Sequence, residues 1–339
     1  MLELIKKLSC TNGVSGDEGN IASVIIDEIK NYCEYKTDAL GNLIAFKKGL
    51  NPANHSVMIC AHMDEVGFII TNITDKGYLK FANVGGICGG ALFGKRVVVG
   101  ENQIYGVIGS KPVHFLKKDQ ETKFPETDTL YIDIGAKNKE EAEKFVSIGD
   151  RATFDSEFVE FGDGLIKGKA LDDRAGCAVM IKMIQSELLY DTYFVFTTQE
   201  EVGARGATVS TFSVNPDFAI VLEATTAADI AGVDKDDEVC KLKNGPVISF
   251  MDRGTVYDRE LYGSALKIAE TNGIKAQPKT KVAGGNDSQV VHKSRSGVRT
   301  VSMSMPCRYL HSASCVLDKS DIIATYELAI KLAEEMQKQ

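Results

Sequence analysis

Ala170-Leu171-Asp172-Asp173-Arg174-Ala175-Gly176 opens an apolar helix, which leads to a strand, Tyr193 to Gln199, ending in Glu200-Glu201-Val202-Gly203. A helix and a buried strand in direct succession are the repeating unit of an α/β sheet. A carboxylate at a helix start and two at a strand end are also the parts of a buried metal site. Two distant histidines, His62 and His311, are placed to complete it. From this stretch the chain reads as a two-metal hydrolase.

The flanking sequence extends the α/β pattern. Arg174 to Leu189 is apolar nearly all round, as a buried helix is. Phe194-Val195-Phe196 and Ala219-Ile220-Val221-Leu222 are continuous apolar strands, the kind found in parallel or mixed sheets covered on both faces. Val57-Met58-Ile59-Cys60 is another, delivering Ala61-His62-Met63-Asp64-Glu65. Glu18 to Tyr32 has helical apolar spacing, and Tyr257 to Asn272 is a helix stopped by Gly273. Val298 to Met305 is a further strand, and Asp321 to Gln337 a closing helix with Ser320 as its cap. Residues 67 to 163 differ. Short β-like runs separated by glycines, such as Tyr78-Leu79-Lys80-Phe81 and Ile104-Tyr105-Gly106-Val107-Ile108, predict a small β-barrel. The expected fold is a mixed-sheet α/β/α domain in two pieces, 1–66 and 164–339, with the barrel, 67–163, inserted between them.

Composition narrows the function. Of 339 residues, 47 are acidic and 39 basic, a net charge of −8, which argues against nucleic-acid and anionic-membrane partners. A hydrophobic content of 44% supports a sizeable core. The eight cysteines form no CxxC pair, and they read as reduced, mostly buried thiols of a cytoplasmic protein rather than as a zinc-thiolate site. Met1 to Cys10 carries Lys6-Lys7 but no apolar secretory core, and no run long enough for a transmembrane helix occurs.

The chemistry-bearing residues recur after apolar strands. His62 follows one, and Asp64, two residues on, can hold its imidazole from behind. Asp172 can bridge two cations. Glu200 and Glu201 are adjacent, so their side chains diverge: one can bind metal while the other serves as general base. Glu223 follows Val221-Leu222, and His311 follows Arg308-Tyr309-Leu310. Each has an ordinary explanation when taken alone. A histidine after a strand is usually structural, Asp-Asp commonly caps a helix, Glu-Glu commonly lies in a solvated turn, and Asp287 in Gly284-Gly285-Asn286-Asp287-Ser288 suits a turn. His55, His114 and His292 read as structural. The combination favours a metal centre, because open α/β folds place their sites at strand ends. A mixed His/carboxylate set suits Zn²⁺, Co²⁺ or Mn²⁺ better than Ca²⁺.

Four ordered motifs carry a family resemblance: His62-Met63-Asp64-Glu65-Val66-Gly67, Lys169 through Cys177, Gln199 through Ala207, and Arg308-Tyr309-Leu310-His311-Ser312. They resemble the tetrahedral aminopeptidases, co-catalytic di-metal exopeptidases often labelled glutamyl aminopeptidase or, misleadingly, cellulase. The resemblance covers nearly the whole chain, barrel included. It implies that Asp172 bridges two divalent metal ions, that His62 and Glu223 complete one site, and that Glu201 and His311 complete the other. It further implies that Glu200 is the general acid/base acting on a metal-activated water, that Asp64 orients His62, and that Asp287 lies near the substrate pocket. Many members have Asp where this chain has Glu223 and Thr where it has Asn286, so these two positions bear on metal spacing and on the pocket.

The implied activity is removal of N-terminal residues from short peptides with a free N-terminus. Two rival readings are a di-metal deacylase acting on non-peptide amides and a catalytically silent assembly protein. A glycoside hydrolase needs two acids flanking a sugar, commonly among aromatics, yet here tryptophan is absent and the acids interleave with histidines. The resemblance also implies barrels that pair subunits into dimers, and six dimers that close into a hollow dodecamer, which we expect to dissociate to dimers on metal removal. Gly85 through Phe93, apolar and glycine-rich, fits a contact role, the alternative being that it covers the barrel's own core. Nothing in the sequence selects among acidic, basic and aliphatic N-terminal residues.

Overall fold

The computed structural model describes residues 1–115 and 123–338. Its centre is an eight-stranded mixed sheet in the order Glu34–Thr37, Leu43–Lys47, Thr192–Thr197, Val57–His62, Phe218–Thr226, Arg299–Cys307, Val247–Ile248 and Gln277–Pro278. The four middle strands, beginning at Thr192, Val57, Phe218 and Arg299, run parallel. Antiparallel pairings flank them on both sides.

The parallel strands are buried on both faces, and successive side chains alternate between two cores, as the twofold period of a strand requires. Val57, Ile59, Phe194, Phe196, Ile220 and Leu222 point to one face. There the helices Leu2–Cys10, Gly19–Ile29, Leu171–Gln185, Arg259–Thr271 and Lys319–Lys338 cover them. Met58, Cys60, Val195, Ala219 and Val221 point to the other face, under Arg205–Val214 and the short Ser288–Val291. The molecule is thus the expected α/β/α sandwich.

The helix Leu171–Gln185 is the central one of its layer, with all but two of its residues buried. It ends earlier than the apolar run suggested, because the Ser186 hydroxyl donates to the Met183 carbonyl at 2.8 Å and the chain turns extended. Its start also differs from the expectation. Asp172 and Asp173 have non-helical backbone angles, and the Asp173 carboxylate accepts the Gly176 N–H at 3.0 Å. Asp173 is therefore the working cap, and Asp172 stands free of the helix. Gly176 is required here, since a Cβ would lie 2.5 Å from both Asp173 carboxylate oxygens.

Six strands between Gly67 and Phe154 close into a barrel in the order Gly67–Ile73, Leu79–Val84, Tyr131–Asp133, Ile104–Gly109, Arg96–Val99 and Arg151–Phe154. Its core holds Phe68 edge-on to Phe81 and Phe154, with ring centroids 5.0 and 5.2 Å away. Val159–Phe161 belongs elsewhere, in a three-stranded sheet with Leu165–Gly168 and Cys315–Asp318. Within Gly85 through Phe93, Ile87 and Leu92 join the barrel's own core while Phe93 is exposed. Among the described residues no helix is long and apolar enough to cross a membrane. All eight cysteines are free thiols, five of them buried.

Candidate metal centre

Each of the four parallel strands brings a candidate metal ligand to the same edge of the sheet. His62 is the last residue of its strand and pairs in register with Thr197, three residues before Glu200. Glu223 lies inside its strand rather than at the end, opposite Ser304. His311 lies in the loop after Cys307. Among the described residues, five of the nine non-glycine positions with positive φ are at or beside these groups: Ala170, Gln199, Ala204, Tyr309 and His311 itself. Such left-handed conformations cost about 1–3 kcal/mol each and persist where surrounding structure imposes them.

Asp172 is the middle of the cluster. Its Oδ1 is 3.3 Å from His62 Nε2, and its Oδ2 is 3.4 Å from His311 Nε2. Glu223 lies 3.7 Å from His62 Nε2, and Glu201 lies 3.3 Å from His311 Nε2. The expected ligand set therefore divides into two groups sharing Asp172. Glu200 pairs with neither histidine, although its carboxylate falls within 4.8 Å of ligand atoms of His62 and Glu223. Asp173, which the sequence reading left aside, also lies within that distance of Asp172 and Glu223.

Hydrogen bonds fix which nitrogen of each histidine ring faces the carboxylates. His62 Nδ1 is 3.0 Å from the Asp64 carbonyl, and His311 Nδ1 is 2.8 Å from the Gly86 carbonyl. Only an N–H suits a carbonyl, so in a neutral ring Nε2 is left as a bare lone pair. Those lone pairs face the carboxylates. Two like-signed surfaces at such a distance are relieved by a cation between them or by a proton on each ring, and the donor set fits divalent cations.

With no cation between them, the carboxylates instead favour a proton on each ring. Burial would lower the His62 imidazole, but Glu223, Asp172 and Asp64 hold it well above its usual range. Burial raises Glu201 to about 7, with Asp172 adding to it and His311 opposing. Burial likewise pushes Glu200 well up, helped by Asp287, Glu201 and Asp64.

Asp64 does more than face a ring. Its carboxylate lies 3.5 Å from His62 Nδ1, farther than its own carbonyl does. Its oxygens accept the Glu200 N–H at 3.0 Å, the Glu201 N–H at 3.2 Å and the Ser15 hydroxyl at 2.6 Å. It therefore fixes the turn carrying both glutamates. Glu65, Lys169 and Arg174, all buried motif residues, form an ion network behind it. The Arg174 guanidinium also donates to the carbonyls of Leu8, Thr11 and Gly13, binding the first helix to the catalytic core.

The cluster opens into a cavity of about 490 Å³. Asn286 lines it, but its amide is engaged with Tyr257, Ser302 and the Ser288 N–H. Asp287 lies buried behind the wall, where it accepts the Thr197 hydroxyl at 2.6 Å. Two cavity residues had no signal in the sequence. Lys279 is buried, and Arg253 stands at the exposed rim.

A family profile described as M42 glutamyl aminopeptidase matches residues 41–328. The chain is 34% identical to a lysyl aminopeptidase of Pyrococcus furiosus over 346 residues, covering 99% of this chain and 97% of that one. The solved structure of aminopeptidase APDkam598 from Desulfurococcus kamchatkensis superimposes with a TM-score of 0.93 at 35% identity, covering 98% and 94% of the two chains. The TET1 peptidase of Pyrococcus horikoshii, described as assembling into a tetrahedron or a large octahedral shell, gives 0.85 at 35% identity, covering 100% and 99%.

Proposed function

Because the chain belongs to the M42 glutamyl aminopeptidase family and is an aminopeptidase, we propose that it removes N-terminal residues from short peptides with two divalent cations per subunit. His62, Asp172 and Glu223 would hold one cation, and Asp172, Glu201 and His311 the other. Zinc or cobalt, with manganese as an alternative, suits these donors. Bound cations supply Lewis acidity, which acidifies water and polarises a carbonyl. The observation that carries this reading is the Asp172 carboxylate standing between two imidazoles whose Nδ1 atoms are committed to carbonyls.

The side chains then divide the work. Glu200, paired with neither histidine and facing the cavity, takes a proton from the attacking water and returns it to the leaving amine. Asp64 holds the Glu200 and Glu201 backbone in place throughout. The excess of carboxylates attracts the free α-ammonium of a peptide, which makes cleavage exopeptidic. Asn286 shapes the wall, and Asp287 supports it through Thr197.

The barrel, expected at 67–163, we take as a pairing domain. Its exposed Phe93, Tyr105 and Ile148 are large apolar groups suited to a subunit contact. Dimers joined in this way would assemble into a dodecamer and revert to dimers on metal removal. Eight free thiols suit a cytoplasmic setting.

Metal-loaded protein assayed on aminoacyl anilides, N-acetylated amides and carboxymethylcellulose tests the activity. Anilide hydrolysis alone is expected. Preference for the acetylated amides would point to a deacylase, and inertness towards all three would sink the reading. Light scattering tests the assembly, for which a strictly monomeric mass at micromolar concentration is the refuting result.

A further inference from the structure

Four consecutive backbone N–H groups follow the strand Thr192–Thr197, and each donates to a side chain. Thr198 donates to Asn42 Oδ1 at 2.9 Å and Gln199 to Glu18 Oε1 at 3.1 Å. Glu200 donates to Asp64 Oδ1 at 3.0 Å and Glu201 to Asp64 Oδ2 at 3.2 Å. Pairing with the neighbouring strand stops at Thr197, opposite His62. The direction in which Glu200 leaves the backbone is therefore set by these side-chain acceptors rather than by the sheet.

Glu18 is the least expected of the three acceptors. It immediately precedes the helix Gly19–Ile29, the place of a capping residue, yet its side chain makes no capping bond. It is 6% exposed and reaches instead to Gln199, 181 residues away. Burial raises its carboxyl, the Gly16 N–H opposing and Asp64 adding to it, and no cation offsets the burial. A buried carboxylate without a counter-ion is costly, so its retention calls for a task. Gln199 supplies one: its φ of 55° is a left-handed conformation that surrounding structure has to impose. Asn42 braces the same turn from the other side, its amide donating to the Gly206 carbonyl at 3.1 Å. Glu18 differs from Asp64 in one respect. A single oxygen, Oε1, accepts both the Gly16 N–H, at 2.8 Å, and the Gln199 N–H, whereas Asp64 uses both of its oxygens.

We propose that Glu18 is a positioning residue for Glu200: its Oε1 fixes the Gln199 peptide and so aims the Glu200 carboxylate into the cavity. The inference rests on the aminopeptidase reading, with Glu200 as the general acid/base. Glu18 acts through the place of one oxygen and not through its charge. Its loss would leave the metal ligands on the other strands untouched and misdirect only the proton-carrying group.

The test measures kcat, KM and metal content of the metal-loaded enzyme and its variants on aminoacyl p-nitroanilides. Glu18→Met removes the acceptor at similar length and should lower kcat about ten- to a hundredfold, with KM and metal content at wild-type values. Glu18→Gln presents a carbonyl oxygen at the same place and should keep kcat within about threefold of wild type. Glu18→Asp keeps the charge but withdraws the oxygen by one methylene, and it should lose about tenfold. In a Glu200→Gln background, Glu18→Met should lower kcat by less than about threefold, because residues acting as one unit are not additive. Four results would overturn the inference alone: Glu18→Gln as impaired as Glu18→Met, Glu18→Asp equal to wild type, a loss carried by KM or metal content, or the full Glu18→Met loss repeated without Glu200. The Gln and Asp variants decide even if Glu18→Met fails to fold. Wild-type protein inert towards every anilide would overturn the aminopeptidase reading and this inference with it.

Discussion

Replacing Asp64 by Asn separates an orienting carboxylate from a merely buried one. In the native enzyme Oδ1 accepts the Glu200 N–H, while Oδ2 accepts the Glu201 N–H and the Ser15 hydroxyl. An amide of the same shape keeps one oxygen and turns the other into a donor. Whichever way the amide is flipped, one of the two glutamate N–H groups faces another donor. Asp64 is fully buried, so that N–H finds no water. An orphaned buried donor costs about 1–3 kcal/mol, and the negative charge behind His62 is lost as well. A loss of about 2 kcal/mol at the site lowers kcat/KM about thirtyfold, within the 10- to 100-fold typical of groups supporting metal ligands. Ser15→Ala removes a single hydroxyl contact and should cost about 1 kcal/mol, roughly fivefold. The assay is kcat/KM on a good anilide substrate at saturating metal, with metal content measured on the same sample. Asp64→Asn protein that keeps both its metal and its kcat/KM within about threefold of wild type would refute the reasoning.

Prolonged chelation should abolish activity, and added zinc, cobalt or manganese should restore it; full activity in verified metal-free protein would rule out the metal mechanism. Glu200→Gln keeps the shape but removes the base, and it should lower kcat by at least about 10²-fold with metal content nearly intact. If Glu200→Gln loses metal and Glu201→Gln does not, the two roles are exchanged. Asp172→Ala should reduce metal occupancy at both positions, read by elemental analysis after dialysis. Arg174→Met leaves Glu65 short of a cation and the Thr11 carbonyl without a donor, while the Leu8 and Gly13 carbonyls keep their backbone donors, so it should destabilise the fold by about 3–5 kcal/mol, read as a lower thermal midpoint at fixed metal concentration. An unchanged midpoint would show that the network is dispensable.

The sandwich and its inserted barrel were legible because periodicity and glycine spacing are local signals. So were the strand-end acids and histidines, since each motif is contiguous. The backbone partners were not. Nothing near His311 in sequence announces that the Gly86 carbonyl, 225 residues away, will hold its ring. Asp64 could be read as supporting His62 because the two are neighbours, but its bonds to Glu200 and Glu201 arise from the pairing of parallel strands. The role of Asp173 as the helix cap, with Asp172 left free, depends on backbone angles that an Asp-Asp pair does not specify. Lys279 lies in a stretch with no periodic signal, and only the fold reveals that it is buried in the wall of the same cavity as the acids.

The order of the proposed ligands along the chain bears on when this peptidase becomes active during its own synthesis. His62 leaves the ribosome first, the whole barrel follows, and only then come Asp172, Glu201, Glu223 and finally His311. The loop holding His311 in turn leans on Gly86, made long before. A nascent chain that has completed the barrel therefore owns one proposed ligand and no centre, and a product truncated before His311 lacks one of the three residues of the second group. Since domains fold largely in order of emergence, the barrel can be complete while the hydrolytic centre is still unassembled. The interleaved topology itself keeps an unfinished copy silent.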